Sequence, residues 1–224
     1  MNKTAIEWCD YTWNPVTGCL HGCPYCYARK IAERFKGSKA WPFEPMFHPD
    51  RLNAPAKMKK PQTIFVCSMA DLFGEWVPDA WIKDVFAAIE QAPQHTYIFL
   101  TKNPERYLKL PGYFWENNVW IGTSSDGGLH VSSRIRALQR HPHENRFISF
   151  EPLLYDPGMM SLTGIKQVII GAQTNPDKCA GLESVLKICE GADEVGAKVF
   201  MKDSLKGRWP DRELRRELCW QVRK

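Results

Sequence analysis

The sequence predicts an α/β protein, a partial (β/α)6-type TIM-like barrel of mostly parallel strands. Two observations predict it: seven short apolar segments recur along the chain, and segments with helical spacing lie between most of them. The apolar segments are nearly continuous runs of β-branched and aromatic residues, as expected for parallel strands that are covered on both faces. Because the connections are short, they form a βαβ series with fewer strands than a full eight-stranded barrel.

Each predicted strand ends in small or polar residues, and the first strand is weak because Pro15 interrupts it. The predicted strands cover residues 11–18, 63–68, 96–101, 119–123, 146–150, 167–171 and 198–201. The predicted helices cover residues 27–35, 78–91, 104–110, 129–139 and 182–195, with a basic C-terminal helix at about 210–222.

Two segments break the alternation of strands and helices. Residues 36–62 form a loop-rich insertion, and residues 151–164 replace a full helix between two strands. Long loops in a compact domain usually serve a function, so we expect lids or substrate contacts here. Its aromatic residues would suit stacking on nucleobases, although a plain hydrophobic flap explains the same pattern. They are Trp41, Phe43 and Phe47, and they lie near the basic residues Lys36, Lys39 and Arg51.

The composition predicts a single domain over residues 1–224, because 44% of the residues are hydrophobic and nine are tryptophans. No apolar run approaches the ~18 residues of a membrane span, and residues 1–7 lack the apolar region of a signal peptide. We therefore expect a cytoplasmic protein with no membrane contact. Eight cysteines in such a chain favour metal ligands, redox residues or core filler over a disulfide framework.

The net charge of +5 is unevenly placed along the chain. Residues 51–60 carry four basic and no acidic side chains, and residues 202–224 carry eight basic and four acidic ones. Such patches suit a phosphate-bearing partner. Solvated surface is the ordinary explanation of either patch alone.

The most specific motif is Cys19-x3-Cys23-x2-Cys26, which supplies three thiolates and no fourth. A 4Fe-4S cluster normally takes four cysteine ligands, so a cluster held by this motif would leave one iron open to a ligand from outside the protein. The alternative is a structural zinc site, which Cys9 and Cys67 are available to complete. Tyr27 directly follows the last cysteine and favours the cluster over zinc, because its ring could stack on an adenine of a ligand bound beside the cluster.

Polar residues follow nearly every predicted strand, where parallel α/β proteins collect their chemistry. These strand-end segments cover residues 68–71, 101–103, 123–126, 151, 171–174 and 202–203. We expect them to converge on one mouth of the barrel. Lys102 and Lys202 would meet a carboxylate or phosphate there, or pair with Asp71 and Glu151. Cys67, near a strand end, is either a hydrogen-atom donor to a product radical or a buried core residue.

The cysteine spacing followed by Tyr27-Ala28 resembles the radical S-adenosylmethionine (SAM) superfamily. The wider sequence resembles the small, phage-associated radical-SAM-like proteins of poorly defined function, and the spore photoproduct lyases are more distant relatives by architecture. The matching segments are IEW at 6–8, TWNPVTGC at 12–19, SMADLF at 68–73, LTKNP at 100–104, WIGTS at 120–124, SFEPL at 149–153 and IIG at 169–171. Residues 171–173 depart from the group, which commonly shows two glycines and a glutamate there.

The resemblance implies a role for each candidate residue. Cys19, Cys23 and Cys26 would bind a 4Fe-4S cluster, and SAM would bind its open iron. The residues that the resemblance and the strand ends assign to SAM are Tyr25, Tyr27, Ser68, Asp71, Thr123, Ser124 and Gln173. The residues assigned to catalysis are Cys67, Lys102 and Glu151.

The resulting hypothesis is a radical SAM enzyme that cleaves SAM reductively to a 5′-deoxyadenosyl radical, which abstracts hydrogen from a substrate. A nucleotide or nucleic acid is the expected substrate, and an electron donor such as flavodoxin or ferredoxin is the expected partner. Two alternatives stay open. One is a radical SAM enzyme that acts on a small metabolite or peptide, and the other is a non-catalytic nucleic-acid-binding module with a structural zinc.

Overall fold

The structure is a computed structural model that describes residues 1–34, 43–209 and 213–221. Its strands are β1 (Asn2–Lys3), β2 (Tyr11–Trp13), β3 (Val16–Thr17), β4 (Met46–Phe47), β5 (Thr63–Val66), β6 (Thr96–Thr101), β7 (Val119–Ser125), β8 (Arg146–Phe150), β9 (Gln167–Ile170), β10 (Gln173–Thr174), β11 (Asp177–Lys178) and β12 (Lys198–Met201). Its helices are α1 (Tyr27–Arg34), α2 (Asp79–Glu90), α3 (Val131–Gln139) and α4 (Leu182–Glu194). The predicted helix at 104–110 is a 3-10 helix over Pro104–Lys109.

Eight strands form one sheet in the order β1-β2-β5-β6-β7-β8-β9-β12. All neighbouring pairs are parallel except the antiparallel pair of β1 and β2. The predicted α/β fold of mostly parallel strands is confirmed, with a strand in each of the seven predicted segments. Within the described residues the two ends of the sheet are not paired with each other, so the barrel is open.

Alternate residues of the strands face opposite sides of the sheet. One face packs beneath α2, α3 and α4 and forms the larger hydrophobic core. The other face, called the inner face here, contributes a buried apolar side chain from each of six strands to a second cluster, which also contains Trp8, Cys9 and Trp220. The strand residues of this cluster are Phe65, Ile98, Trp120, Phe147, Ile169 and Phe200. Because strands from β5 to β12 share this cluster, the sheet curves around it.

The C-terminal helix predicted at about 210–222 is wrong for the residues described there. Residues 213–221 carry no helix and run beside β12, with a bridge between Phe200 and Arg216. The Met201 N–H donates to the Arg215 carbonyl at 2.8 Å, and the Glu217 N–H donates to the Val199 carbonyl at 3.1 Å. The open edge of β12 supplies these backbone partners, so an extended segment satisfies hydrogen bonds that a helix would leave unpaired.

The insertion predicted at 36–62 is described only from residue 43 onward. It holds the short strand β4 and a 3-10 turn over Pro49–Arg51. Trp41, Lys36 and Lys39 lie outside the described residues. Phe47 stacks on Trp81 of α2 with ring centroids 5.4 Å apart, so this ring packs against the helix. None of the helices in the described ranges has both the length and the apolar character that crossing a membrane requires.

A candidate site at the carboxyl ends of the strands

The three motif cysteines lie in the loop that joins β3 to α1. At its start, Gly18 has a φ of +85°, and a Cβ there would lie 2.0 Å from the Glu44 carbonyl oxygen, so only glycine fits. The Gly18 N–H donates to the Met69 carbonyl at 2.9 Å, and the Cys19 N–H donates to the Phe43 carbonyl at 3.1 Å. These bonds attach the loop to the residues that follow β5 and to the insertion.

The thiols of Cys19, Cys23 and Cys26 are free, and all three residues are partly buried. The Arg29 N–H donates to the Cys26 sulfur at 3.4 Å, and the Arg29 guanidinium donates to the Cys19 carbonyl at 3.2 Å. Burial raises the pKa of Cys19 to about 11, because the thiolate loses solvation there, and a bound cationic metal would reverse that preference.

The chemistry of these donors fits a 4Fe-4S cluster with one open iron. Three thiols come from one short loop, and a backbone N–H donates to one sulfur, a contact that tunes a thiolate when it binds metal. Residues 1–34, 43–209 and 213–221 contain no group of three His, Cys, Asp or Glu side chains arranged around a single metal ion.

Asp71 connects the cysteine loop to the ends of the strands. Its carboxylate accepts hydrogen bonds from His21 Nε2 at 2.7 Å, from Thr101 Oγ1 at 2.7 Å and from the backbone N–H groups of Phe73 and Lys102. Burial alone would raise the pKa of this carboxyl, but the bonds from His21 and its neighbours outweigh burial and hold the pKa below its usual value. Asp71 is thus an ionised, buried anchor of the loop, 5% exposed.

The strand register places several predicted residues on the inner face. Counting on by two residues from the inner-face cluster leads to Lys102 after β6, Ser124 at the end of β7, Glu151 after β8 and Lys202 after β12. Lys102 Nζ donates to Ser124 Oγ at 3.2 Å, and Lys202 forms an ion pair with Glu151. These four residues therefore meet in two pairs, one at the ends of β6 and β7 and one at the ends of β8 and β12.

Tyr25 and Tyr27 lie on either side of Cys26 and point to different neighbours. The Tyr25 hydroxyl donates to Asp126 at 3.1 Å, and the Lys102 ammonium lies 5.8 Å from the Tyr25 ring centroid. The Tyr27 hydroxyl donates to the Ser68 carbonyl at 2.5 Å. Burial of this hydroxyl raises the pKa of Tyr27 to about 12, although the residue as a whole is 50% exposed.

Tyr27 and Ser68 line a cavity of about 620 Å³ beside the first strands of the sheet. Asn14 lines it too, and Asn14 Oδ1 accepts hydrogen bonds from Ser68 Oγ at 3.2 Å and from the Met69 N–H at 3.0 Å. A second cavity of about 380 Å³ lies between the cysteine loop and α3, and Lys102 lines it.

Three other predicted residues lie apart from these contacts. Thr123 is fully buried, and its hydroxyl donates to the Thr101 carbonyl at 3.0 Å. Gln173 belongs to the hairpin of β10 and β11 and donates to the Pro176 carbonyl at 2.9 Å. Cys67 is 3% exposed within the larger core, and burial raises the pKa of its thiol to about 12. Its φ of +59° is left-handed, and β5 ends at the residue before it.

Sequence reasoning did not single out Arg134 or Trp76, although both line the cavity beside the cysteine loop. Arg134 Nη1 donates to the Ser124 carbonyl at 3.1 Å, and the Trp76 ring meets the His21 ring edge to face at 4.8 Å. Gly74 makes room for this tryptophan, because a Cβ on Gly74 would lie 2.4 Å from the Trp76 ring. Neither residue follows a predicted strand directly, so no strand-end signal marked it.

Comparison with known proteins gives one family and one solved structure. The family described as "Protein of unknown function (DUF5131)" matches residues 3–217. The structure titled "Spore photoproduct lyase complexed with dinucleoside spore photoproduct" is similar with a TM-score of 0.55 and 14% sequence identity. The similarity covers 87% of this chain but 64% of the lyase chain, and at this identity it shows a shared fold. No curated protein sequence matches the chain.

Proposed function

We propose that this chain, which belongs to the DUF5131 family of proteins of unknown function, is a radical SAM enzyme. The observation that carries the proposal is the position of Cys19, Cys23 and Cys26. All three lie in one loop after the first parallel strand of an open barrel, beside strand ends rich in polar groups. The fold shared with a spore photoproduct lyase supports the same assignment.

In this proposal the three cysteines hold a 4Fe-4S cluster, and SAM binds beside it. When bound, the pair supplies the electron transfer that cleaves SAM and yields a 5′-deoxyadenosyl radical able to abstract hydrogen. The protein positions these groups. The contacts of Gly18 with Met69 and of His21 with Asp71 fix the loop against the strand ends.

The residues around the loop suit different parts of SAM or of a substrate. Tyr27 offers a partly exposed ring beside Cys26 for stacking on adenine. Lys102 and Ser124 offer donors for a carboxylate or phosphate, and the Glu151–Lys202 pair offers both charges at the inner face. We propose a nucleotide or nucleic acid as substrate and a small electron-transfer protein such as flavodoxin or ferredoxin as partner.

Anaerobic reconstitution with iron and sulfide tests the proposal. The reconstituted protein should absorb as an iron–sulfur protein, and with dithionite and SAM it should release 5′-deoxyadenosine. Cys23→Ala removes one of the three thiolate ligands, so cluster absorbance and 5′-deoxyadenosine should both fall to background. Cys179→Ala is the matched control, because Cys179 is a partly buried free thiol outside the loop, and it should leave both signals unchanged.

Two outcomes would contradict the proposal. Stoichiometric zinc with no SAM cleavage would instead support the structural zinc site of a nucleic-acid-binding module. SAM cleavage that survives Cys23→Ala would show that the assigned cysteines do not hold the cluster.

A further inference from the structure

Two cations meet at one wall of the cavity between the cysteine loop and α3. Lys102 follows β6 and places Nζ 3.2 Å from Ser124 Oγ. Arg134, on the first half of α3, places Nη1 3.1 Å from the Ser124 carbonyl oxygen. Both cationic groups thus contact Ser124, and both residues line the same cavity of about 380 Å³.

Among the described residues, no carboxylate forms an ion pair with Lys102 or Arg134. Each cation donates instead to an uncharged oxygen of Ser124. Both residues are partly buried. A partly buried cation without a counter-ion has lost part of its solvation without a compensating ion pair. Lys102 keeps further ammonium protons and Arg134 keeps further guanidinium N–H groups to donate, so the wall is suited to an anion.

The two acidic side chains that line the cavity form no ion pair with Lys102 or Arg134. Glu105 forms an ion pair with Arg140, and Glu75 is exposed at the rim, where solvent screens it. Trp76 also lines the cavity, where it supplies an apolar surface and packs against His21 of the cysteine loop. A cavity of this volume that is lined by two cations and an aromatic side chain suits a phosphate with an attached sugar or base.

We infer that this cavity is a phosphate-binding subsite in which Lys102 and Arg134 hold one phosphate group of a nucleotide unit. The inference rests on the proposed function, which it deepens by fixing where the substrate phosphate binds. His21 lines the cavity from the same loop as the three cysteines, so a phosphate held there lies next to the proposed cluster.

Calorimetry on the reconstituted full-length protein, without reductant, tests the inference. The probes are the 5′-monophosphates of cytidine, guanosine and uridine, each compared with its own nucleoside. At least one nucleotide should bind at least about tenfold more tightly than its nucleoside, because charge-assisted hydrogen bonds to both cations depend on the phosphate.

Arg134→Ala should weaken binding of that nucleotide by at least about tenfold, and Lys102→Ala should do the same. Arg136→Ala is the matched control, because it removes the same charge from an exposed position of the same helix outside the cavity. It should change the affinity less than about twofold. Thermal unfolding checks that each variant folds, and if Lys102→Ala does not fold, Arg134→Ala alone decides.

Three results would overturn the inference: equal binding of every nucleotide and its nucleoside, equal effects of Arg134→Ala and Arg136→Ala, or competition between SAM and the nucleotide. The last would show that the cations hold the SAM carboxylate. A four-nucleotide single strand carrying a 5′-phosphate separates the two supporting outcomes, since tighter binding of the strand indicates nucleic acid and tighter binding of the mononucleotide indicates a free nucleotide.

This test fails separately from the proposed function. Wild-type protein that releases 5′-deoxyadenosine but binds no nucleotide would overturn the phosphate subsite alone. Protein that binds nucleotides through Arg134 but never cleaves SAM would overturn the proposed function and leave the subsite standing.

Discussion

At the scale of single residues, Asp71 links more parts of the site than any other predicted residue. It accepts hydrogen bonds from the cysteine loop, from the end of β6 and from its own turn. A buried carboxylate is stable only when such donors surround it. The same bonds that depress its pKa therefore hold His21, and with it the cysteine loop, against the sheet.

Asp71→Asn should lower the free energy of unfolding at pH 7 by about 3 kcal/mol, because it leaves donors of a buried network without their anionic acceptor. Urea denaturation measures the change. Asp84→Asn, at an exposed position of α2, is the control and should stay within about 0.5 kcal/mol of wild type.

The contribution of Asp71 to the free energy of unfolding should also depend on pH. Because the folded-state pKa is depressed, the stabilisation is complete above the unfolded-state pKa of about 4 and is lost as pH falls through the folded-state value. The stability difference between wild type and Asp71→Asn should therefore shrink below about pH 4. A difference that stays constant from pH 7 to pH 3 would contradict an ionised Asp71.

At the scale of elements, the extended C-terminal segment packs on the inner face of the open barrel. Trp220 is 5% exposed, and its ring packs against Trp120 and Phe147 of the inner face, with centroids 4.8 Å and 5.4 Å away. Its indole N–H donates to the Trp8 carbonyl at 2.7 Å. The segment thus covers apolar side chains of the inner face that the parallel strands alone would leave exposed to solvent.

Trp220→Ala should destabilise the fold by about 3 to 5 kcal/mol, because it opens a large cavity beneath the inner face and leaves the Trp8 carbonyl unpaired. Chemical denaturation followed by circular dichroism measures it. The control is Tyr113→Ala, which removes an aromatic ring that is 62% exposed and should cost far less. Equal losses in the two variants would show that the segment does not support the barrel.

At the scale of the whole molecule, the site draws on distant parts of the chain. The cysteine loop lies near the N-terminus, the cationic wall comes from β6, β7 and α3, and the Glu151–Lys202 pair joins β8 to β12. A ligand held between these elements binds the folded chain and not the unfolded one, so it should stabilise the entire fold.

SAM at 100 times its dissociation constant should stabilise the reconstituted protein by about 2.7 kcal/mol, a rise in Tm of about 5 to 10 °C for a chain of this size. Differential scanning calorimetry under anaerobic conditions measures the shift. Cys23→Ala, taken through the same reconstitution, should show no rise with SAM. An equal rise in this variant would indicate that SAM binds without the cluster.

The alternation of strands and helices was predictable because it depends on local patterns. Apolar runs such as residues 119–123 and 167–171 stand out against their polar flanks, and the structure has a strand within each. The C-terminal segment was not predictable in the same way. The spacing of its apolar residues favours a helix, whereas the open edge of β12 offers backbone hydrogen bonds to an extended segment. That edge exists only in the folded sheet.

The sequence by itself determined the fold class and the three-cysteine loop with its flanking glycine, because apolar periodicity and the spacing of chemically specific side chains are local properties. The tertiary structure alone decided which strand-end residues meet. Register joins Lys102 to Ser124 and Glu151 to Lys202, helix packing adds Arg134, and Thr123 and Cys67 are left buried in the core. Such contacts link residues far apart in the chain, so their geometry follows from the packing of the whole sheet and from no local pattern.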